Sequence, residues 1–391
     1  MLTNLQKNNI ESAAMLHPHS KNGYWTVGEK FFFNKVEAHI ESANTNLPVE
    51  FYFGEKVFDL VDWTQEPDTD IYELYRQRAL QIRENYDHVV LLYSGGSDSV
   101  AVLRTFLDNN IKLDEIVTSG VINKFVGEKD VTNAELYIEG WDLVKRAQLQ
   151  NIKFRFYNLW DHFEELNQTL TEDWFIDKGD VRLCIDNPLK EYMWHQEDTM
   201  MRKVNKGKKV CYVIGYEKPR VFIKDGWFNF SVLDLCIKAN EFKSNYNKNT
   251  HQGVFTEFFF TTTDFPDIMR KQIHMIVDYY MQKFPTTIQD KLTHSENFKT
   301  GEYYHHINDL LYGKYWSQKN GFTVGKPSND LFGPKWEFMK KFQDTHYYQT
   351  WANGIRTIKN TLDSSAFNKI GDLGGHWGKM YRFKKFDDTL R

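Results

Sequence analysis

Hydroxyl, glycine and carboxylate residues lie next to one another at positions 94–99 of this chain. The residues are Ser94, Gly95, Gly96, Ser97, Asp98 and Ser99. Glycine lets the backbone approach a ligand closely, serine hydroxyls form hydrogen bonds with phosphate oxygens, and a carboxylate binds the magnesium ion that accompanies a phosphate. The types and spacing of these residues predict a site for a polyphosphate and Mg²⁺, with Asp98 as the metal ligand.

The residues on either side of this 94–99 loop predict the elements that position it. Residues 89–92 are an apolar run that is typical of a buried strand. After the loop, apolar residues at helical spacing predict an amphipathic helix. They are Val100, Val102, Leu103, Phe106 and Leu107. The first N–H groups of a helix lack partners and lie at the positive end of its dipole, so they favour a bound anion.

The sequence of the 94–99 loop resembles the SGGxDS pyrophosphate loop of the N-type ATP pyrophosphatases, the PP-loop or adenine nucleotide alpha hydrolase-like superfamily. This superfamily includes asparagine synthetase, NAD synthetase, tRNA lysidine synthetase and phosphoadenylylsulfate reductase. The resemblance implies an enzyme that cleaves ATP to AMP and pyrophosphate. It also implies that the loop holds the pyrophosphate and that Asp98 binds Mg²⁺. The alternative interpretation is a turn that only caps a helix, with Ser97 or Asp98 as the cap.

Residues 215–220 supply further candidates after a second predicted strand, residues 210–214. Gly215 ends that strand, and Lys218 and Arg220 are candidate cations for phosphate oxygens, Arg220 in bidentate fashion. The segment is similar, over a short length, to the glycine-then-basic segment of sulfonucleotide reductases. A solvated turn is the alternative interpretation of the same residues.

Strands and helices alternate from residue 88 onward, which predicts an α/β protein with a doubly wound parallel sheet. Ligands bind such sheets at the carboxyl ends of the strands. Thr118 and Ser119 end a predicted strand at residues 115–118, where the resemblance implies backbone contacts with adenine or ribose. We therefore expect the 94–99 loop, Thr118, Ser119 and Gly215 to share one site.

The pattern along the chain predicts three regions. Residues 1–66 form a small α+β region, residues 67–245 form the ATP pyrophosphatase α/β domain, and residues 246–391 form a mainly helical accessory region. In the first region, residues 25–33 and 50–60 alternate as strands do. Helical spacing is present at residues 35–44, 132–150, 188–202, 266–284, 334–342 and 347–362.

Composition narrows the class of protein. The chain has 391 residues, of which 41% are hydrophobic and 16% aromatic, so it can bury a large core. A net charge of −4 gives no bulk attraction to nucleic acid. We interpret the basic run at residues 202–209 as a solvated helix end and turn, and contact with a polyanion such as tRNA is the alternative. The three cysteines, Cys184, Cys211 and Cys236, form no CxxC pair, which argues against a zinc or iron–sulfur site.

Sparse cysteines fit a reducing compartment, and we expect a soluble cytoplasmic protein. No segment has the roughly 20 consecutive apolar residues that a membrane span requires. The N-terminus also lacks the pattern of a signal peptide. We therefore expect no membrane partner.

Three functions are consistent with these residues. The first is a ligase that adenylates the carboxylate or carbonyl of a small-molecule acceptor for attack by an amine or ammonia, as a loose resemblance to asparagine synthetase implies. Leu2 stands where a glutamine amidotransferase has its cysteine nucleophile, so ammonia must come free or another amine must serve. The second function is sulfur transfer or sulfonucleotide reduction, and the third is non-catalytic nucleotide binding. The complete loop favours an enzyme, and we expect the first function.

Overall fold

A computed structural model gives the fold of the chain. It describes residues 22–120, 136, 140–178, 188–189, 193, 196–197, 208–215, 218–234, 254–292, 301–315, 342–362, 366, 373 and 375–386. The strands are β1 (Tyr24–Val27), β2 (Lys30–Phe32), β3 (Val49–Tyr52), β4 (His88–Leu92), β5 (Glu115–Gly120), β6 (Lys153–Asn158), β7 (Val210–Ile214), β8 (Arg220–Lys224), β9 (Trp227–Ser231), β10 (Val254–Phe258) and β11 (Tyr381–Lys385). The longer helices are α1 (Lys35–Thr45), α3 (Ile71–Asn85), α4 (Ser97–Asp108), α5 (Trp141–Leu149), α8 (Asp267–Lys283), α10 (Gly301–Tyr312) and α11 (His346–Thr361), and the shorter ones are α2 (Glu55–Phe58), α6 (Phe163–Thr169), α7 (Trp174–Lys178) and α9 (Ile288–Leu292).

A five-stranded sheet of order β10-β7-β4-β5-β6 forms the centre of the protein, and all its strand pairs are parallel. The chain is therefore an α/β protein, as the alternation of strands and helices predicts. The carboxyl ends of β4, β5 and β7 lie along one edge of the sheet because neighbouring parallel strands point in the same direction. The 94–99 loop emerges from this edge.

Strands β4 and β7 are almost entirely apolar because both faces of the sheet are covered. β4 reads HVVLL and β7 reads VCYVI, a continuous pattern that is typical of a buried parallel strand. Val89 and Leu91 belong to the main core, which contains apolar residues of α3, α4 and α8. Val90 faces the other way and packs with Tyr212. This packing holds the start of the loop.

Helix α3 begins where the sequence offers a cap. The Asp70 side chain accepts a hydrogen bond from the Tyr72 N–H at 2.8 Å, which satisfies one of the free N–H groups of the first turn. One face of the helix is buried. Its residues are Ile71, Leu74, Tyr75, Arg78, Ala79 and Ile82. α3 thus covers the sheet face that also carries α4.

The first region differs in detail from the prediction of a strand at residues 25–33. Gly28, with φ +57°, turns the chain, so that β1 and β2 form an antiparallel hairpin, and β3 pairs on the other side of β1. The stretch 50–60 holds β3 followed by the short helix α2, whose N-cap Gly54 has φ +71°. Both differences arise at glycines that adopt the left-handed conformation.

The region after residue 245, which the sequence predicts to be mainly helical, also contributes two strands to sheets that begin earlier in the chain. Strand β10 is an edge strand of the central sheet and pairs with β7. Strand β11 pairs with β9 in a second sheet of order β11-β9-β8. Local spacing identified α8 and α11, but pairing between strands far apart in sequence leaves no local signal. The predicted helix at residues 334–342 lies outside the described residues except for Phe342, and most of the predicted helix at residues 188–202 also lies outside them.

Helix α5 covers only the second half of the helix predicted at residues 132–150; residues 132–135 and 137–139 are outside the described part of the chain. Within the described residues, no helix combines the length and the apolar character needed to cross a lipid bilayer.

Candidate functional site

The 94–99 loop joins β4 to α4 through a turn that depends on glycine. The Tyr93 N–H donates to the Val117 carbonyl at 2.8 Å and so continues the pairing with β5 for one more residue. Gly95 then has φ +81°, in the left-handed region, which residues with a side chain rarely adopt. Gly96 is the N-cap residue of α4 and makes no side-chain cap. The first turn of α4 therefore lies at the sheet edge without a side-chain cap from its N-cap residue.

Two of the three loop serines stabilise the loop itself. The Ser99 hydroxyl donates to the Gly96 carbonyl at 3.1 Å, and the two hydroxyl oxygens of Ser94 and Ser99 are 3.2 Å apart. The Gly96 N–H donates to the Ser94 hydroxyl at 3.3 Å. These hydrogen bonds hold the backbone in one conformation before any ligand binds, which reduces the entropic cost of binding.

Ser97 differs from the other two serines. The residue is only 2% exposed, and its Oγ forms no hydrogen bond with the part of the chain that the structure describes. A buried hydroxyl without a partner costs about 1–3 kcal/mol. Thr118, on the neighbouring strand β5, is 4% exposed, and its hydroxyl likewise forms no hydrogen bond with the described residues. The site thus contains buried hydroxyls that a ligand can satisfy.

Asp98, in the first turn of α4, lies between two residues from distant parts of the sequence. Lys218 Nζ is 2.6 Å from Asp98 Oδ1, and the Tyr312 hydroxyl donates to the same oxygen at 2.8 Å. Lys218 Nζ also lies 5.1 Å from the centre of the Tyr312 ring, within the range of a cation–π interaction. The side chain of Asp98 is 19% exposed and that of Lys218 is 9% exposed.

Two glycines permit the close packing of this site. A Cβ on Gly215, at the end of β7, would lie 2.8 Å from the Asp98 carbonyl oxygen, which leaves no room for a side chain. A Cβ on Gly140, just before α5, would lie 3.1 Å from the Cα of Gly95. The Tyr93 hydroxyl donates to the Gly140 carbonyl at 3.2 Å. Gly215 therefore supports the backbone of Asp98, and Gly140 supports the turn.

The other predicted residues lie in the neighbouring strands. Thr118 and Ser119 belong to β5, which extends to Gly120, beyond the last residue paired with β4. Arg220 is the first residue of β8 and pairs with Ser231 of β9. It is 4% exposed and belongs to the three-stranded sheet, not to the central one. Of the two predicted cations, Lys218 is the one that the structure places on Asp98.

Sequence reasoning missed Tyr312 and Gly140. Tyr312 is 214 residues away from Asp98 in the chain and sits at the end of α10 among apolar residues, where a tyrosine is typical of a core position. Gly140 falls within the predicted helix at residues 132–150, where a glycine is the one local sign of a break.

The residues of the 94–99 loop fit a magnesium ion that arrives with a phosphate. The described residues contain no group of three or more His, Cys, Asp or Glu side chains placed to hold a metal ion. Mg²⁺ commonly binds one or two carboxylates and takes its remaining ligands from phosphate oxygens and water. Asp98 Oδ1 already accepts one cationic group, the Lys218 ammonium, so this oxygen is suited to a cation.

A second lysine–aspartate pair lies away from this site. Lys35 Nζ, on α1, is 2.6 Å from Asp234 Oδ2, and the Trp25 indole N–H donates to the same oxygen at 3.0 Å. Next to the pair, the Nε2 atoms of His39 and His376 are 3.1 Å apart. The pKa of His39 is lowered to about 3 and that of His376 to about 4, mainly by burial, with smaller contributions from His376 acting on His39 and from Lys35 acting on both rings.

The turn at residues 225–227 joins β8 to β9, with Asp225 and Gly226 both at positive φ. Cys211 is fully buried within β7. Cys184, Cys236 and most of the basic run at 202–209 lie outside the described residues.

No protein-family model matches this chain, and no curated protein matches it. The candidate site therefore rests on its own geometry.

Proposed function

We propose that this chain is an AMP-forming ATP pyrophosphatase whose central sheet is a doubly wound core of that type. One observation carries the proposal: a buried Ser97 hydroxyl, without a hydrogen-bond partner among the described residues, lies in the first turn of α4, beside a carboxylate and after a glycine N-cap that offers no side chain. A phosphate group at this place could accept hydrogen bonds from this hydroxyl and from the N-terminal end of the helix. A turn that served only to cap α4 would use its serine, and here the N-cap is Gly96.

The residues of the loop have separate tasks in the proposed reaction. Ser94 and Ser99 keep the turn in shape, while the helix N–H groups and the Ser97 hydroxyl bind the β- and γ-phosphates. Asp98 holds Mg²⁺, which when bound offsets the negative charge of the leaving pyrophosphate. Lys218 supplies a positive charge next to the same phosphates. Fixed dipoles and charges at a partly buried site stabilise developing charge without reorganisation.

The nucleoside would extend from the loop along the carboxyl edge of the sheet. Thr118 and Ser119 lie there because β5 extends beyond β4. Their position supports the proposal that β5 contacts adenine or ribose. Arg220 begins the strand that directly follows Lys218 and Pro219, and we propose it as a second source of positive charge for the site.

The acceptor in this proposal is the carboxylate or carbonyl of a small molecule, which receives AMP and is then attacked by an amine or ammonia. Sulfur transfer has less support. Cys211 is fully buried within β7, so its thiol cannot carry a persulfide to an acceptor without unfolding the strand.

The test uses ATP labelled at the α-phosphate, incubated with the protein, Mg²⁺ and a small-molecule extract of cells as the source of the acceptor. We expect labelled AMP and free pyrophosphate in equal amounts. Asp98→Asn should lower the rate by a factor on the order of 10²–10³, because it removes the charge that holds the metal. Asp108→Asn is the matched control, since Asp108 ends the same helix and pairs with the exposed side chain of Arg146.

The proposal is wrong if label accumulates in ADP, because cleavage would then fall between the β- and γ-phosphates. It is also wrong if Asp98→Asn forms AMP as fast as the control. Absence of any turnover with several extracts, combined with tight binding of ATP, would favour a non-catalytic nucleotide-binding protein.

A further inference from the structure

Asp98 presents one oxygen to two partners of different character. Oδ1 contacts the Lys218 ammonium at 2.6 Å and accepts a hydrogen bond from the Tyr312 hydroxyl at 2.8 Å. The hydroxyl is neutral and fixed, whereas the ammonium is charged and ends a flexible four-carbon chain. A ligand can therefore displace the ammonium and leave the hydrogen bond from the hydroxyl in place.

Tyr312 is the fixed partner. It is fully buried, and its ring packs against Phe260 at 5.1 Å and against Tyr75 at 6.2 Å between ring centres. Movement of this ring would disrupt the aromatic core, so the hydroxyl stays in place and orients the Asp98 carboxylate. Tyr312 is a positioning residue that acts through Asp98.

Lys218 is the exchangeable partner. An ammonium 2.6 Å from Oδ1 occupies the space that a metal ion would need to bind the same oxygen. Two cations cannot share that space at a partly buried carboxylate, because their repulsion is screened far less than in water. The metal can bind only if the ammonium leaves, and a nearby phosphate offers the ammonium a new negative partner.

We infer that Lys218 occupies the metal position at Asp98 in the nucleotide-free protein and exchanges for the metal when the metal arrives with a phosphate. This inference rests on the proposed function for the identity of the natural ligand. It has a regulatory consequence: free divalent cations bind weakly at Asp98, and phosphate and metal enter together. The lysine thereby neutralises Asp98 while the site is empty and contacts the phosphate when the site is full.

The experiment measures binding of Mn²⁺, which stands in for Mg²⁺, to the full chain by electron paramagnetic resonance, with and without inorganic pyrophosphate. We expect the wild-type protein to gain a Mn²⁺ site only when pyrophosphate is present. Lys218→Met should bind Mn²⁺ without pyrophosphate, with an affinity on the order of tenfold above that of the wild type, because the competing charge is gone. The double variant Lys218→Met with Asp98→Asn should lose this site.

Two controls separate charge from structure. Lys218→Arg keeps a positive charge and should not bind Mn²⁺ in the absence of pyrophosphate. Tyr312→Phe removes the hydrogen bond from the Tyr312 hydroxyl to Asp98 Oδ1 but keeps the ring and leaves the ammonium in place. This variant should also bind no Mn²⁺ in the absence of pyrophosphate. Lys218→Gln replaces Lys218→Met if the methionine variant does not fold, as judged by circular dichroism.

The inference is overturned if Lys218→Met binds no more Mn²⁺ than the wild type in the absence of pyrophosphate. It is also overturned if Tyr312→Phe binds as much Mn²⁺ under these conditions as Lys218→Met does. Failure of the proposed function gives a different pattern. In that case pyrophosphate would create no Mn²⁺ site in the wild type, while Lys218→Met would still gain one that depends on Asp98.

Discussion

Two lysine–aspartate pairs with the same separation have different surroundings in this protein. Lys218–Asp98 and Lys35–Asp234 both have an N–O distance of 2.6 Å. The side chains of the first pair are 9% and 19% exposed, whereas those of the second are 1% and 0% exposed. Distance alone does not distinguish them, and the difference lies in what surrounds each carboxylate.

The surroundings of Asp234 favour one fixed arrangement. Its Oδ2 lies 2.6 Å from the Lys35 ammonium nitrogen and accepts a hydrogen bond from the Trp25 indole N–H, and its backbone N–H donates to the His376 carbonyl at 3.0 Å. These contacts join α1, β1 and the segment before β11. Asp98 instead lies on the first turn of a helix at the sheet edge, where its side chain is 19% exposed. The same pair of charges thus stabilises the fold in one region and prepares a binding site in the other.

The largest expected effect on stability comes from breaking the buried pair. Asp234→Asn should lower the free energy of unfolding by about 3 kcal/mol, because it leaves the Lys35 ammonium buried without a counter-charge. Asp98→Asn should lower it by only about 1 kcal/mol, because that carboxylate reaches solvent. Urea unfolding of both variants measures the difference. Equal losses in the two variants would show that exposure does not separate the two pairs.

Acidification should have a smaller effect on the free energy of unfolding. This effect arises next to the buried Lys35–Asp234 pair. The pKa values of His39 and His376 are lowered from 6.5 to about 3 and about 4, mainly by burial. Between these values and 6.5 the unfolded chain binds more protons than the folded protein. Stability is therefore highest above pH 6.5 and decreases as the pH falls, by on the order of 2 kcal/mol for the two histidines together at about pH 5.8.

The measurement for this prediction is the free energy of unfolding in urea as a function of pH. His376→Asn should make the decrease with acid shallower, because it removes one of the two neutral rings and the other no longer faces a second histidine. Lys35 and Asp234 are the charged groups that act on His39, and they stay in place in this variant. A slope identical to that of the wild type would exclude the histidine pair as its source.

The sequence predicted the elements whose signals are local. An apolar run, two glycines and helical spacing identify β4, the 94–99 loop and α4, and the structure contains them in that order. The Asp70 cap and the buried face of α3 are likewise readable, because hydrogen bonds and periodicity within a few residues determine them. Lys218 was recognised as a cation that follows a strand end.

Features that depend on distant parts of the chain were not predictable in the same way. Strand β7 lies before residue 245 and β10 lies after it, so their pairing joins two regions that the local sequence pattern separated. Tyr312 reaches Asp98 only because α10 packs against α4 and α8. The role of Gly215 also depends on packing, since the backbone of Asp98 occupies the space of its missing side chain. Close contacts between elements follow from the assembled fold, which one-dimensional spacing does not encode.

The most direct test of the central claim is calorimetric binding of α,β-methylene ATP with Mg²⁺ to the wild type and to Ser97→Ala. Ser97 suits this test because its hydroxyl has no partner among the described residues, so its removal should not lower the melting temperature. We predict that the wild type binds the analogue and that Ser97→Ala binds it with an affinity lower by on the order of tenfold. Equal affinity in the two proteins, or no binding by the folded wild type, would contradict a nucleotide site at the 94–99 loop.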